Sequence, residues 1–386
     1  MYLIAEVGSS HGGSIDSAKR LLDEIAHAGF DCAKFQWIIA DEILHPRSGT
    51  VHLPGGPVAL YDRFRTLERA PEFYAQLKHL CEERSITFLC TVFGPESLRM
   101  LLELDVQAIK IASPELNYTS LLRLAAEAST SLFVSTGVST LFDIAEAAAV
   151  LEPAKALTFL HCVTSYPTPE EDYNLGVLQP LSTVTGRRWG VSDHTTDALA
   201  VPLVSAALGA EALEKHVTLS PAGEGLDDPI ALAPEDFRLM VSAVRDLTGG
   251  DSSVDRHDSS TERVHASAEQ EYARTRSQHV SHNRGEMLAA AEDRLGRERV
   301  RSILGDGVKR LAEAERGNYG RTNRSIHART GIPEGAEITG DTICIVRTER
   351  ELAPGLHPRY EDLVIGSKAR RSIEAGEGIG WEAIIS

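Results

Sequence analysis

Short apolar runs recur along the first 220 residues, and segments with helical periodicity separate them. In chain order the runs are LIAEVG, CAKFQ, TFLCTV, AIKIAS, LFVSTG, LTFLHCV, RWGVSDH and ALEKHVT. Continuous apolar strands that alternate with helices are typical of a parallel sheet covered by helices. A closed barrel usually consists of eight such strand–helix units within about 250 residues. We therefore predict an α/β fold with a (β/α)8 TIM barrel over residues 1–248, and an open doubly wound sheet is the alternative.

The first and last helices of the predicted barrel have recognisable ends. In SIDSAKRLLDEIAHAG, Ser14 is a candidate N-cap and Gly29 a candidate C-terminal stop. The segment APEDFRLMVSAVRDLTG, which starts near Ala233, predicts the helix that completes the barrel.

The composition changes after residue 248. Residues 249–301 are highly polar and have a weak helical tendency, so we interpret them as a solvated helical insertion or linker, with a lid or a partner surface as the alternative. Residues 302–323 continue as a linker. From residue 324 to 386, short β-like runs separated by proline and glycine turns predict a small β-rich domain.

Charge and cysteine content narrow the class of protein. The formal net charge of −17 is spread along the chain, which argues against a nucleic-acid or anionic-membrane partner. No run approaches the roughly 18 apolar residues that span a bilayer, and the chain starts directly with the strand-like MYLIAEVG. The five cysteines lack a CxxC pair and mostly lie in apolar runs, as expected of reduced core residues. We therefore expect a cytoplasmic protein.

Polar side chains cluster where the predicted strands end, which is where the active site of such a barrel lies. They are Glu6, Lys34, Gln36, Thr91, Lys110, Ser113, Glu115, Ser135, Thr164, Tyr166, Ser192, Asp193, His194, Lys215 and His216. Any one of them could be a satisfied polar group in the core. Lysines, hydroxyls and a carboxylate that converge on one rim instead predict an anion site, for which phosphate is the natural ligand, with acid and base groups close by.

His194 and His216 end neighbouring strands, so their imidazoles can approach each other. Two histidines with oxygen ligands and open positions suit a divalent ion such as Mn²⁺ or Mg²⁺ acting as a Lewis acid on a carbonyl. Two histidines alone are also compatible with ordinary buried residues, so this prediction depends on their place in the barrel.

Several longer stretches resemble the sialic acid (N-acetylneuraminate) synthase family. They are IAEVGSSHGGSIDSAKRLLDEIAHAGFDCAKFQ, IKIASPELN, STGVSTLFDI, LHCVTSYPTPEEDYNL, GVSDHT and LGAEALEKHVTLS, and they occur in the family's order. The C-terminal NRSIHARTGIPEGAEIT and VIGSKARRSIEAGEGI resemble the family's antifreeze-like (SAF) domain. The resemblance covers about residues 3–247 and 302–386 and omits the polar segment between them.

The resemblance implies an enzyme that condenses phosphoenolpyruvate with the open-chain aldehyde of an N-acetylated amino sugar, N-acetylmannosamine by default. The products would be phosphate and a nonulosonic acid. By resemblance, His194 and His216 bind the divalent metal, and Glu6 and Glu115 are acidic residues near the reacting atoms and the sugar. The residues implied to hold phosphoenolpyruvate are Lys34, Thr91, Lys110, Ser113, Thr164 and Ser192, and Tyr166 and Asp227 are implied to line the sugar pocket.

The family's C-terminal domain caps the barrel of a partner subunit and inserts an arginine into the sugar pocket. Arg347, in CIVRTEREL, lies where that arginine is expected, although an exposed arginine at a strand end would look the same in sequence. The resemblance therefore implies a domain-swapped homodimer.

The sequence departs from the family around the sugar. Pro114 replaces the glycine of the family's ASGE, Thr164 stands where asparagine or serine is usual, and glycine near Gly56 replaces an asparagine. The loop after Arg347, RTERELAPG, is longer and more charged than the family's RPG. The acceptor could therefore be a pseudaminic or legionaminic acid precursor or another modified hexose. A Schiff-base aldolase using Lys110 or Lys34, and a non-catalytic sugar-binding relative, are the alternatives from other classes.

Overall fold

The computed structural model describes residues 1–53, 56–128, 130–223, 225–249, 280–349 and 351–385. Parallel strands close into a barrel in the order β1-β8-β7-β6-β5-β4-β3-β2, which confirms the predicted TIM-barrel fold. The strands are β1 Tyr2–Glu6, β2 Cys32–Gln36, β3 Thr87–Val92, β4 Ala108–Ile111, β5 Ser131–Ser135, β6 Ala156–Cys162, β7 Arg188–Asp193 and β8 Ala212–His216.

One main helix follows each strand and packs on the outside of the barrel. The helices are α1 Ile15–Ala28, α2 Pro71–Glu82, α3 Pro95–Leu102, α4 Thr119–Glu127, α5 Leu141–Val150, α6 Leu178–Thr185, α7 Ala200–Ala207 and α8 Pro234–Thr248. The connection from β2 to α2 also holds the short helices Ala40–Ile43 and Leu60–Arg65 and a hairpin of Thr50–Leu53 with Gly56–Ala59.

The ends of α1 follow the local chemistry of the sequence. The Ser14 hydroxyl accepts a hydrogen bond from the Ser17 N–H at 3.3 Å, which caps the first turn. Gly29 ends the helix with φ at 93°, a conformation that favours glycine because it has no Cβ.

The barrel interior is filled by layers of side chains that alternate along each strand. Ile4, Cys32, Leu89, Ala108, Leu160 and Ala212 form one buried apolar layer. Side chains two residues further along a strand point to the same face. The next layer, toward the C-terminal ends of the strands, therefore consists of Glu6, Lys34, Thr91, Lys110, Cys162 and Glu214, with Ser135 and Ser192 on the two remaining strands. We call this set the polar layer.

The described part of the predicted insertion is helical and packs against the barrel. Helices α9, Val280–Leu295, and α10, Arg297–Leu304, follow α8, and α10 crosses the boundary that we predicted at residue 301. Ala291 is 1% exposed, and Met287 and Leu288 pack on the main core cluster. Residues 280–301 are therefore helical, as predicted, but they pack on the barrel instead of being solvated on all sides, whereas residues 250–279 lie outside the described residues.

The C-terminal domain packs on the barrel of its own chain. Strands β9, Arg324–Ala328, and β10, Ile343–Arg347, pair antiparallel, and so do the short strands β11, Lys368–Ala369, and β12, Ile384–Ile385. A short helix spans Glu361–Val364. The β9–β10 register places Arg324 opposite Arg347, so both side chains lie at the end of the pair that faces the barrel.

The packing of α9 leads to a stability prediction. We expect Ala291→Asp to lower the free energy of unfolding by roughly 2–4 kcal/mol, because it buries a carboxylate without a partner. The exposed Ala289→Asp on the same helix is the control and should cost much less. Urea denaturation followed by circular dichroism measures both, and equal midpoints for the two variants would show that α9 does not pack.

Candidate active site

The polar layer contains a cluster of buried charges between neighbouring strands. The Lys34 Nζ lies 3.3 Å from Glu6 Oε2 and 3.0 Å from Glu214 Oε1. The Lys110 Nζ lies 3.9 Å from Glu214 Oε2 and donates a hydrogen bond to the Ser135 hydroxyl at 2.7 Å. All four charged side chains are at most 4% exposed. Charges removed from water in this way are kept only where they neutralise one another or serve a ligand.

The cluster separates the pKa values of its two carboxyl groups. Burial raises the pKa of Glu6 to about 7, against the opposing effect of Lys34. Burial also disfavours ionised Glu214, but Lys110 and Lys34 outweigh it and lower the pKa of Glu214 to about 2. Two carboxyl groups with separated pKa values can divide the work, one as a proton carrier and one as a fixed negative charge.

The two lysines respond differently to the same surroundings. Burial lowers the pKa of Lys110 to about 8, although Glu214 opposes the shift. Lys34 is buried as well, but Glu214 and Glu6 together hold its pKa above the usual range. Lys34 is therefore a permanent cation, whereas Lys110 loses its proton as the pH rises through about 8.

Several buried oxygen atoms in this region of the described structure have no hydrogen-bond partner in the protein. They are Glu6 Oε2, Thr91 Oγ1, Glu115 Oε2, Thr164 Oγ1 and Glu214 Oε2. Buried polar atoms are nearly always paired, so an accumulation of unpaired ones at one end of a barrel indicates a place where a polar ligand supplies the partners.

His194 and His216 lie beside the polar layer with their ring centroids 5.4 Å apart. The Nδ1 of His194 is 2.9 Å from the carbonyl oxygen of Val163, which can only accept, so Nδ1 carries the proton and Nε2 is free to bind a metal. Burial lowers the pKa of His216 well below its usual value, which keeps this ring neutral. The Asp227 carboxylate lies 4.0 Å from Nδ1 of His216.

These donors fit a divalent cation that keeps open positions for substrate oxygens. Metal-binding imidazoles must be neutral, as burial keeps His216, and the carboxylate beside His216 is the usual type of orienting partner. Among the described residues, no group of three or more His, Cys, Asp or Glu side chains converges as a metal site. The protein would therefore supply two metal ligands, one from His194 and one from His216.

A buried ion pair holds the chain on both sides of His194 and just before His216. Lys215 donates to the Asp193 carboxylate at 2.6 Å, to the Thr195 carbonyl at 2.6 Å and to the Asp197 carbonyl at 3.1 Å. Because side chains alternate along a strand, this pair points away from the barrel axis while the histidines point toward it.

Glu115 joins the barrel to the C-terminal domain. Its Oε1 accepts hydrogen bonds from Arg324 at 2.7 and 3.0 Å and from Arg347 at 2.9 and 3.2 Å. Arg324 also donates to the backbone carbonyls of Phe93, at 2.9 Å, and of Glu42. The structure thus brings Arg347 to Glu115 of the same chain, whereas the resemblance implies delivery to a partner's barrel.

The remaining predicted residues lie around this centre. Tyr166 is half exposed and stacks on His194 with centroids 4.2 Å apart. The Ser113 hydroxyl accepts from the Gly137 N–H at 3.0 Å, and the Ser192 hydroxyl donates to Glu214 at 2.8 Å. Tyr166, Ser113 and Ser192 therefore lie at the same end of the barrel as the polar layer.

Comparison with known proteins places the chain in a family. A sequence profile of the NeuB family matches residues 21–253, and a SAF domain profile matches residues 323–385. The first match alone covers more than half of the 386 residues. The chain belongs to the NeuB family. The resemblance to sialic acid synthases is confirmed, and this NeuB-family member is an enzyme of the carbon–carbon bond-forming synthase type.

Relatives of this NeuB-family enzyme span almost its whole length. It is 29% identical to the uncharacterized protein MJ1065 of Methanocaldococcus jannaschii, over 100% of this chain and 94% of that protein. It is 28% identical to the spore coat polysaccharide biosynthesis protein SpsE of Bacillus subtilis, again over 100% and 94%. It is 25% identical to the N,N'-diacetyllegionaminic acid synthase of Legionella pneumophila, over 99% and 94%.

Two solved structures share the fold. The crystal structure of B. subtilis SpsE has a TM-score of 0.77 at 27% identity and covers 100% of this chain and 95% of its own. The N-acetylneuraminic acid synthetase of Leptospira borgpetersenii serovar Hardjo-bovis, in complex with citrate, has a TM-score of 0.59 at 28% identity, over 72% and 92%.

The structure shows how this NeuB-family member accommodates Pro114. Residues Ser113–Glu115 form one turn of 3-10 helix, and Pro114 lies in that first turn. An N–H at such a position has no partner within the helix, and the fixed φ of proline suits the turn. The loss of the glycine therefore leaves the backbone path to Glu115 intact.

Sequence reasoning missed Glu214 and Arg324. Glu214 precedes His216 by two residues in ALEKH, so strand alternation alone places both on the inner face. Arg324 begins β9, far from Glu115 in sequence, and no local pattern links the two residues.

The Lys215–Asp193 pair gives a second stability prediction. We expect Lys215→Met to lower the free energy of unfolding by about 3–5 kcal/mol, because it leaves the Asp193 carboxylate buried without its cation. Adding Asp193→Asn should restore part of this loss. Lys78→Met, which breaks the more exposed pair with Glu82, is the control and should cost less than about 1 kcal/mol. Similar denaturation midpoints for the two lysine variants would contradict the account.

Proposed function

We propose that the enzyme condenses phosphoenolpyruvate with the open-chain aldehyde of an N-acetylated amino sugar, releasing phosphate and a nonulosonic acid, with N-acetylmannosamine as the default acceptor. The observation that carries the proposal is the polar layer, in which two buried lysines lie at the same end of the barrel as threonine hydroxyls that have no hydrogen-bond partner among the described residues. A small, highly charged anion such as an enol phosphate can accept hydrogen bonds from these lysines and hydroxyls. A nonulosonic acid product is supported by relatives that are named N,N'-diacetyllegionaminic acid synthase, pseudaminic acid synthase and N-acetylneuraminate-9-phosphate synthase.

Lys34 and Lys110 hold the phosphate and carboxylate of the substrate and neutralise the charge of the leaving phosphate. Hydroxyl groups at the same end of the barrel belong to Thr91, Ser113, Thr164 and Ser192. Among the described residues, the hydroxyls of Thr91 and Thr164 have no hydrogen-bond partner, so they can turn toward a ligand without breaking an existing bond.

The reaction joins carbon 3 of phosphoenolpyruvate to the aldehyde carbon, and the aldehyde oxygen takes up a proton. Water then adds to carbon 2 and loses a proton, and the bond between carbon 2 and the phosphate oxygen breaks. Glu6 is the group placed to accept the water proton, because its pKa of about 7 makes both protonation states accessible. Glu214 remains ionised and balances the two lysines.

His194 and His216 would hold the divalent ion, Mn²⁺ or Mg²⁺, which when bound polarises the aldehyde oxygen. Tyr166 packs against His194 and fixes the plane of that ring. Asp227, Glu115 and Arg347 line the sugar side, where Arg347 faces Glu115.

We also propose a cytoplasmic, domain-swapped homodimer. Arg347, at the end of β10, contacts Glu115 of the barrel. If two subunits exchanged their C-terminal domains, the same arginine would contact the barrel of the partner. Among the described residues, no helix has the length and apolar character needed to cross a membrane.

A Schiff-base aldolase is the second candidate, and the lowered pKa of Lys110 is the observation that favours it, because an amine must lose its proton to attack a carbonyl. Borohydride reduction in the presence of pyruvate separates the two. We expect no covalent adduct by mass spectrometry, and an adduct on Lys110 would support the aldolase instead.

The proposal is tested by phosphate release from phosphoenolpyruvate and Mn²⁺ with a panel of acceptors. The panel contains N-acetylmannosamine, its 6-phosphate, mannose and the diacetamido hexoses of the pseudaminic and legionaminic pathways. We expect release with one acceptor and loss of release in excess chelator, restored by Mn²⁺. Full activity in chelator would remove the metal from the proposal, and release without any sugar would contradict a condensation.

Lys110 gives a pH prediction. Its pKa of about 8 means that the cation is present below this pH and is lost above it, so kcat/KM for phosphoenolpyruvate should fall as the pH rises through about 8. Lys110→Met should lower kcat/KM by about 100-fold and abolish this alkaline limb. An unchanged limb in Lys110→Met would assign the titration to another group.

A further inference from the structure

Residues 305–323, which we call the linker segment, cross the C-terminal face of the barrel between β5 and β6. Glu315 in this segment is fully buried. Its Oε2 accepts a hydrogen bond from the Val138 N–H at 2.8 Å and another from the Thr164 N–H at 2.9 Å. One carboxylate oxygen thus joins the loops that follow two neighbouring strands.

Two asparagines of the linker segment complete the contact. Asn323 Nδ2 donates to the Val138 carbonyl at 3.1 Å, and Asn318 Nδ2 donates to the Thr164 carbonyl at 3.2 Å. The N–H and the C=O of both loop residues are therefore satisfied by linker side chains, as an adjacent strand would satisfy them. Fixing both groups of a peptide unit fixes its position and its orientation.

The Val138 backbone needs such support. Its φ is +42°, in the left-handed region that β-branched residues rarely adopt. Strained conformations of this kind persist only where the surroundings determine them. Here the Val138 N–H donates to Glu315, and the Val138 carbonyl accepts from Asn323. These two hydrogen bonds hold the backbone on both sides of the residue.

The loops held in this way carry the hydroxyl half of the anion site. Gly137 precedes Val138 and donates its N–H to the Ser113 hydroxyl at 3.0 Å. A Cβ on Gly137 would lie only 2.2 Å from Thr164 Oγ1 and 2.9 Å from Ser113 Oγ, so the two loops and Ser113 are in close contact. A shift of either loop would therefore move the hydroxyls of Thr164 and Ser113.

We propose that Glu315 is a positioning residue for phosphoenolpyruvate: it fixes the backbones of Val138 and Thr164, and through them the hydroxyls of Thr164 and Ser113. The linker segment is then a part of the substrate site as well as the connection to the C-terminal domain. The inference rests on the proposed function for the identity of the ligand and adds a residue that the resemblance does not assign.

Removal of the Glu315 carboxylate should change ligand binding in opposite directions, depending on whether it acts by positioning the loops or only through its charge. A carboxylate near an anion site repels the ligand, so its removal would strengthen binding if charge dominated. If positioning dominates, removal of the acceptor weakens binding. Glutamine distinguishes the two, because its amide oxygen can accept from the same two N–H groups without carrying a charge, and it gives up only the 3.2 Å contact of Oε1 with the Ala312 N–H inside the linker segment.

The test compares Glu315→Ala, Glu315→Gln and the control Glu313→Ala in the full-length chain. Glu313 lies two residues away, is 76% exposed and pairs only with Arg316 in the described contacts. Calorimetry gives the Kd for phosphoenolpyruvate, and steady-state kinetics give the KM of the sugar. We expect about tenfold weaker phosphoenolpyruvate binding in Glu315→Ala, recovery to within about threefold in Glu315→Gln, and no change in Glu313→Ala, with the KM of the sugar little affected.

Three results would overturn the proposal. Tighter phosphoenolpyruvate binding in both Glu315 variants would show a charge effect. A lower melting temperature of Glu315→Ala with unchanged Kd would show a structural role alone. An equal loss in Glu315→Gln and Glu315→Ala would show that the N–H contacts do not matter.

Inorganic phosphate as a second probe separates this proposal from the proposed function. If the wild-type chain binds phosphate but not phosphoenolpyruvate and the variants keep the same ranking for phosphate, the proposed substrate is wrong and the positioning role stands. Absence of binding by both anions would overturn both.

Discussion

The structure depends on a compromise between burial and charge inside the barrel. One layer of the interior is apolar, and the next holds Lys34, Lys110, Glu6 and Glu214 with almost no access to water. Ionised groups in such surroundings are costly unless opposite charges lie close by. Each lysine lies within 4 Å of a carboxylate, so these charges neutralise one another inside the barrel. Under the proposed function, the lysines exchange these contacts for an anionic ligand.

Buried contacts outside the polar layer hold the segments that carry the site. The Lys215–Asp193 pair fixes the backbone on both sides of His194 and just before His216, from outside the barrel. On the neighbouring strands, Glu315, Asn318 and Asn323 hold the loops after β5 and β6. A site that relies on electrostatic stabilisation needs fixed dipoles, because groups that must reorganise lose most of their effect. The buried contacts outside the polar layer provide that fixation.

The fold and most of the site could be predicted from sequence because they depend on short-range patterns. Apolar runs gave the strands, and residues at strand ends converge in any closed barrel, which is why Lys34, Lys110, His194 and His216 could be named in advance. Glu214 follows from the same alternation but was overlooked within an otherwise charged stretch, ALEKH. The contacts of Glu315 and Arg324 could not be derived, because they join residues more than 100 positions apart through tertiary packing. The packing of α9 was also hidden, since a polar helix with a few buried small residues resembles a solvated one.

We propose that the buried lysines of the barrel exchange their contacts with Glu6 and Glu214 for a phosphoenolpyruvate anion. Calorimetric titration with phosphoenolpyruvate at pH 8, in two buffers of different ionisation enthalpy, measures the protons exchanged on binding. An anion raises the pKa of every group near it, and Lys110 is half protonated at this pH, so we expect uptake of about half a proton per site. Proton release, or the absence of phosphoenolpyruvate binding, would contradict it.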